Sequence, residues 1–119
     1  MSTTDCILCS FENPKPTATA IILRDNKLLV AKRNEEPFRG QWDFLGGYLQ
    51  KNETPEEALR RELKEELNAE VASTNFLGSF PGTASYQKHQ FPVLSFAYLV
   101  EITGETKLNG ENSEIAWVP

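Results

Sequence analysis

The order of secondary-structure signals predicts an α+β domain. Two β-rich segments come first, a single strongly marked helix follows, and several further strands close the chain. Three observations carry this reading. Thr17 to Leu23 and Leu28 to Arg33 are rich in β-branched and aliphatic residues and flank the turn pair Asp25-Asn26. Thr54 to Leu67 has a capping signal and leucines at helical spacing. The remaining β-rich runs are separated by Gly82, Gly104 and Asn109-Gly110.

Bulk properties bound the function. The 119 residues suit one domain, and its formal net charge is −5. No Lys/Arg cluster offsets that charge, which argues against a nucleic-acid polymer as partner. No apolar run reaches transmembrane length, and the first ten residues are too polar for a secretory signal, so no membrane partner is expected. Two cysteines make no disulfide framework, which points to the reducing cytoplasm.

Residues 1–16 read as an N-terminal arm and 17–119 as the domain. The arm holds Cys6 and Cys9 and ends in Pro14-Lys15-Pro16, an extended linker signal. Cys6 and Cys9 have the spacing of a zinc knuckle, but a structural zinc site needs four ligands. With no second Cys pair, one chain cannot close such a site, and zinc is not expected unless a twin chain supplies the other half. That leaves a homodimer open.

After the first two strands, Asn34 to Gly40 reads as a polar loop. Trp42 to Leu45 is a short apolar segment running into a Gly46-Gly47 turn. In the helix, Thr54 is the N-cap, Pro55 the first helical residue, and Glu57 completes a capping box. Ala58, Leu59, Leu63 and Leu67 form the apolar stripe. Asn68 suits a left-handed C-terminus. Strands are then expected over about 71–80, 93–102 and 114–118.

Glu62, Glu65 and Glu66 fall on one helical face. Two such charges about 5–6 Å apart repel by roughly 3 kcal/mol at an effective dielectric near 20. Either the face is solvated, with Arg60, Arg61 and Lys64 as ion-pair partners, or a divalent cation offsets the charge. Hard oxygen ligands suit Mg²⁺ or Mn²⁺.

The wider register bears on that choice. Gly47, five residues, Glu53, seven residues, then Arg61-Glu62-Leu63-Lys64-Glu65-Glu66 resembles the Nudix box, the signature of the Nudix hydrolases. Asn68 and Ala69 depart from the usual Gly and bulky aliphatic. Gly40-Gln41-Trp42 through Gly47, with Leu45 in place of a frequent Pro, and Glu114 to Trp117 extend the resemblance. It implies a Nudix-type α/β/α sandwich with a mixed sheet, whose usual C-terminal helix is missing from this chain. It also implies Mg²⁺-dependent cleavage of a nucleoside diphosphate linked to another moiety, at its pyrophosphate. By position, Glu62, Glu65 and Glu66 match the metal-binding glutamates, one of which, or a downstream acid, serves as general base. Arg61 and Glu53 match an ion pair that orients loop and helix, and Gly47 matches a glycine at the metal site. Glu114 is the candidate for a further acidic ligand, with Glu111 and Glu101 as alternatives.

Substrate contacts lie outside the box. Arg33 and Arg39 are suited to clamp phosphates. Tyr86 resembles a Tyr of dinucleoside-polyphosphate hydrolases in the family. Nucleoside triphosphates, ADP-ribose-like molecules and dinucleoside polyphosphates all remain candidate substrates. The alternative is a non-catalytic Nudix-like nucleotide-binding or regulatory module. Retention of every box carboxylate argues against it.

Overall fold

The computed structural model describes residues 7, 11–33, 39–104, 106 and 112–119. Strands β1 (Lys15–Arg24) and β2 (Lys27–Arg33) precede the short strands β3 (Trp42–Asp43) and β4 (Leu45–Tyr48). Helix α1 (Pro55–Leu67) follows, then β5 (Glu70–Tyr86), β6 (His89–Thr103) and β7 (Asn112–Val118).

The strands form two sheets that share β1. Its first part lies between β4, antiparallel, and β6, parallel, and β5 extends that mixed sheet beyond β6. At its end, Leu23 and Arg24 pair with β2, which also pairs antiparallel with β3 and β7. The α+β class and the mixed sheet are as the sequence predicts. Among the described residues, α1 is the only helix, and it covers one face of the mixed sheet.

Alternation along the strands sorts the core. Ala18, Ala20 and Ile22 of β1 are buried, and so are their cross-strand neighbours Tyr98 and Val100 of β6. Against this face pack Ala58, Leu59, Leu63 and Leu67, all fully buried. Each buried leucine contributes about 1.5–3 kcal/mol. The Tyr98 hydroxyl donates to Glu56 Oε1 at 2.9 Å across the same interface. Burial, reinforced by that carboxylate, pushes the phenol pKa up to about 12.

The helix ends follow the sequence signals. The Glu57 amide donates to Thr54 Oγ1, and the Thr54 amide donates to Glu57 Oε1, so both halves of the capping box form. Asn68 adopts φ 53°; its N–H donates to the Lys64 carbonyl at 3.0 Å, and the Ala69 N–H donates to the Leu63 carbonyl at 3.2 Å.

Three readings need correction. Gly46 and Gly47 are not a turn; they lie within β4, opposite Thr19 and Ala18. A side chain on Gly46 would drive into the Ala18 carbonyl, so glycine here serves close strand approach. Lys15 and Pro16 are strand rather than linker, in register with Val93 and Leu94. β5 and β6 also run much farther than expected, meeting at a two-residue turn where Gln87 and Lys88 have φ 49° and 68°. Gly82 suggested a break, but it lies inside β5, an edge strand that also tolerates Pro81. The Cys6/Cys9 pair and Glu111 lie outside the described residues.

The capping box is exposed and local, so its energetic effect should be separable. Thr54→Ala is expected to lower stability by about 1 kcal/mol, read as a reduced urea midpoint with an unchanged m-value.

Candidate functional site

Arg61 anchors the site. Its Nε donates to Glu53 Oε2 at 2.8 Å and its Nη2 to Glu53 Oε1 at 3.0 Å, a bidentate pair. Nη1 reaches Glu62 Oε1 at 3.0 Å and Glu65 Oε2 at 3.4 Å. Nη2 also donates to the Tyr48 carbonyl at 3.1 Å. One guanidinium thus ties the loop before α1, the end of β4 and the acidic face of α1 together. Glu53 closes its own loop by accepting from the Gln50 amide at 2.9 Å.

The ionisation of these groups follows. The Arg61 guanidinium, then the Gln50 amide, hold the Glu53 carboxyl down to about 2. Arg61 in turn is pushed above its already high range, chiefly by Glu53. Repulsion between Glu62 and Glu65 is offset within the chain, since both lie against the same cation.

Glu62 and Glu66 are the less exposed carboxylates of the set. The Glu62 side chain is 14% exposed and lies against Gly47. A Cβ at Gly47 would collide with the Glu62 carboxylate, so the glycine leaves room for it. Glu66 is the one charged residue among the buried polar positions described, at 9% exposure. Leu63 and Leu67 pack on either side of it in sequence, which fixes the direction of its turn. Glu65, by contrast, is 57% exposed.

Glu66 opens into a cavity of about 50 Å³ lined also by Ala31, Arg33, Asp43, Phe44, Leu45 and Gly46. β2, β3, β4 and α1 all contribute to its lining. Arg33 therefore shares a cavity with a helix carboxylate. Asp43 was not singled out from the sequence, whereas Phe44 belongs to the aromatics, with Trp42, Phe80 and Tyr86, that the sequence offers for stacking on a base. The position of Asp43 just before Leu45-Gly46-Gly47 was the available signal. Asp43 Oδ1 accepts from the Phe44 amide at 2.7 Å, which fixes its orientation.

Other expected residues lie apart from this cavity. Glu114 is in register with Lys32 on the β2–β7 ladder and reaches its Nζ at 3.8 Å. Lys32 alternates with Ala31, a cavity-lining residue, so Glu114 and Lys32 are on the other face of that sheet. Arg39 is exposed in the turn before β3. Tyr86 stands at the tip of the β5–β6 hairpin, 59% exposed. Glu101 lines a larger cavity, about 220 Å³, at the far end of β1 with Ile22, Leu23, Arg24 and Ile102.

Oxygen donors from Glu62 and Glu66, beside a glycine that makes room, fit a hard divalent cation. Among the described residues, no three acidic, His or Cys side chains are already drawn together as a cation cage. Arg61 balances part of the acidic face in this arrangement.

This combination of fold and acidic helix has relatives. The NUDIX domain family profile matches residues 14–119. The chain is 30% identical over 104 residues to an ADP-ribose pyrophosphatase of Methanocaldococcus jannaschii, covering 87% of this chain and 60% of that protein. It is 36% identical over 93 residues to an 8-oxo-dGTP diphosphatase of Proteus vulgaris, covering 74% and 77% respectively. A crystal structure of a MutT NUDIX hydrolase from Burkholderia pseudomallei superposes with TM-score 0.79 at 25% identity, over 90% of this chain and 84% of that one. The chain belongs to the Nudix hydrolase family. It spans 60% of the length of the archaeal relative.

The Glu53 ion pair makes a pH prediction. A carboxyl whose pKa falls on folding stabilises fully above its unfolded value, here about 4.5. That stabilisation drains as pH falls and is gone below about 2. Urea midpoints of the wild type and Glu53→Gln should differ at neutral pH and converge across that window. Curves that stay parallel would show that ionisation of Glu53 is not what couples loop and helix.

Proposed function

We propose that this chain hydrolyses the pyrophosphate linkage of a nucleoside diphosphate joined to another moiety, and that it requires Mg²⁺ or Mn²⁺. The observation that carries the reading is Glu66, a buried carboxylate opening into a cavity it shares with Arg33. Support comes also from relatives named for cleavage of ADP-ribose and of 8-oxo-dGTP. Nucleoside triphosphates, ADP-ribose-like molecules and dinucleoside polyphosphates share the bond in question. The reducing cytoplasm is the proposed setting.

Glu62 and Glu66 would hold the cation, with Glu65 at the exposed rim of the same helix face. Bound there, a divalent cation would screen the phosphates and polarise the attacking water. The chain's own residues do the rest. Arg33 clamps a phosphate oxygen pair, for which its planar fork is suited. Arg61 fixes the carboxylate of Glu62, and Gly47 gives that carboxylate room. A helix carboxylate accepts the proton of water as its oxygen bonds to phosphorus and the anhydride P–O bond breaks. The products are two phosphorylated fragments.

Two expected outcomes test this. Glu66→Gln should lower kcat by about 10²–10⁴-fold on a panel of nucleotide derivatives, with the far-UV spectrum and melting temperature retained. No Mg²⁺-dependent turnover by the folded wild type on any member would favour a nucleotide-binding module instead. Gly47→Ala pushes against Glu62 while leaving every carboxylate in place. It should raise the Mg²⁺ concentration for half-maximal rate by about 10–100-fold, the scale of outer-sphere support for metal ligands. An unchanged metal dependence would remove Glu62 from the proposed ligand set.

A further inference from the structure

Arg33, Asp43 and Glu66 are the charged side chains lining the site cavity among the described residues. Asp43 alone is not among the groups proposed to hold cation or phosphate. It is carried into place by backbone. In the two-residue strand β3, Trp42 and Asp43 pair with Lys32 and Ala31 of β2. Two main-chain bonds close the ribbon beside them. The Arg33 amide donates to the Gln41 carbonyl at 3.0 Å, and the Gly40 amide donates to the Arg33 carbonyl at 2.9 Å. Arg33 lies two residues beyond Ala31, so Arg33 and Asp43 are diagonal neighbours on one face of this ribbon. Such neighbours stand about 7–8 Å apart, so their side chains can reach one small ligand from different sides.

The orientation of the carboxylate is also set. Asp43 Oδ1 accepts from the Phe44 amide at 2.7 Å. That bond commits Oδ1 to the chain and leaves Oδ2 to accept from another donor. Asp43 is solvent-exposed, whereas Glu66 is buried, so the cavity has a wet carboxylate on one wall and a dry one on another. Its volume narrows the choice of donor. About 50 Å³ exceeds the share of one water molecule, about 30 Å³, and is too small for a nucleobase or a ribose. A phosphate oxygen is repelled by a carboxylate and suits the Arg33 fork instead. Water has O–H donors, and an ionised carboxylate only accepts.

We propose that Asp43 orients the attacking water, a role that rests on the hydrolysis proposed for this cavity. Water presents a lone pair to phosphorus when both its O–H bonds point away. A helix carboxylate accepts one of them, and takes that proton as the new O–P bond forms and the anhydride P–O bond breaks. Asp43 Oδ2 accepts the other O–H, which stays intact throughout. Arg33 holds the phosphate from the same ribbon, so nucleophile and phosphorus are aligned by one piece of backbone.

Asp43→Asn separates this role from a structural one. The amide keeps the oxygen that accepts from Phe44 and replaces the other with an NH₂ donor, which cannot accept from water. The probe is the nucleotide derivative that the wild type turns over fastest with Mg²⁺, in water containing methanol. Methanol attack yields the methyl ester of the phosphate. Its single O–H goes to the helix carboxylate, so methanol gains nothing from Asp43. The variant should hydrolyse about 10–100-fold more slowly, the scale of one hydrogen bond to a charged group. Its methanolysis rate should be retained, so the ratio of methyl ester to hydrolysis product rises by the same factor. Calorimetry with the same compound carrying CH₂ in place of the anhydride oxygen should give wild-type affinity, and the melting temperature should not move. A variant that hydrolyses at the wild-type rate, or that loses both reactions equally, would overturn the role of Asp43 and leave the hydrolytic reading standing. Affinity lost in proportion to rate would do the same, since Asp43 would then act in binding. A wild type with no Mg²⁺-dependent turnover of any nucleotide derivative would overturn both.

Discussion

One guanidinium holds three parts of this molecule in a single geometry. Arg61 binds Glu53 in the loop before the helix, the Tyr48 carbonyl at the end of β4, and Glu62 and Glu65 on its own helix. Arginine alone among side chains offers five donors in a rigid fork, which is what acceptors on four residues from three directions demand. A lysine would present one compact charge and could not bind Glu53 bidentately while also reaching Tyr48. The pair is only partly buried, with side chains 21% and 12% exposed. Its importance is therefore geometric more than energetic, since exposed pairs add little stability.

The glycines of β4 complete that geometry. Gly46 lets the strand approach the Ala18 carbonyl, and Gly47 lets the helix carboxylate of Glu62 approach the strand. Helix and sheet are drawn together on one side by Leu59, Leu63 and Leu67, and on the other by Arg61. The helix can neither roll nor slide, because its apolar stripe and its acidic face are both engaged. Glu66 is turned toward β2 and β4 as a consequence of that double anchoring, and this is how an acidic residue comes to be buried.

Much of this was legible in the sequence where the cause is local. The capping box, the leucine stripe and the left-handed Asn68 are set by residues within a few positions of one another, and each forms as its pattern implies. The length of β5 and β6 was not legible. Pro81 and Gly82 are breakers in an interior strand, and only the position of β5 at a sheet edge makes them acceptable. The Gly46-Gly47 pair was misread for the same reason: a turn and a close strand contact both call for glycine, and tertiary structure decides between them. Asp43 became visible only when β3 folded beside Glu66. Glu114 had the right chemistry, but the pairing of β7 with β2 set it opposite Lys32.

The acidic face also shows how structure and chemistry can share one set of charges. Glu65 and Glu66 are neighbours in sequence, yet one is 57% exposed and the other 9%. Their difference arises from the helical period alone: one step of about 100° carries the chain from solvent to the apolar seam. The exposed Glu65 and the half-buried Glu62 are partners of Arg61, so a cation held on this face, as proposed, would share them with a guanidinium already in place. An arginine that neutralised every carboxylate would exclude a cation; one that neutralised none would leave the helix face strained by repulsion. Placing Glu66 at the seam, on the cavity side, leaves the least hydrated carboxylate facing the space where a phosphate would have to bind. Partial neutralisation by Arg61 would thus serve both a stable helix and the cation site proposed on this face.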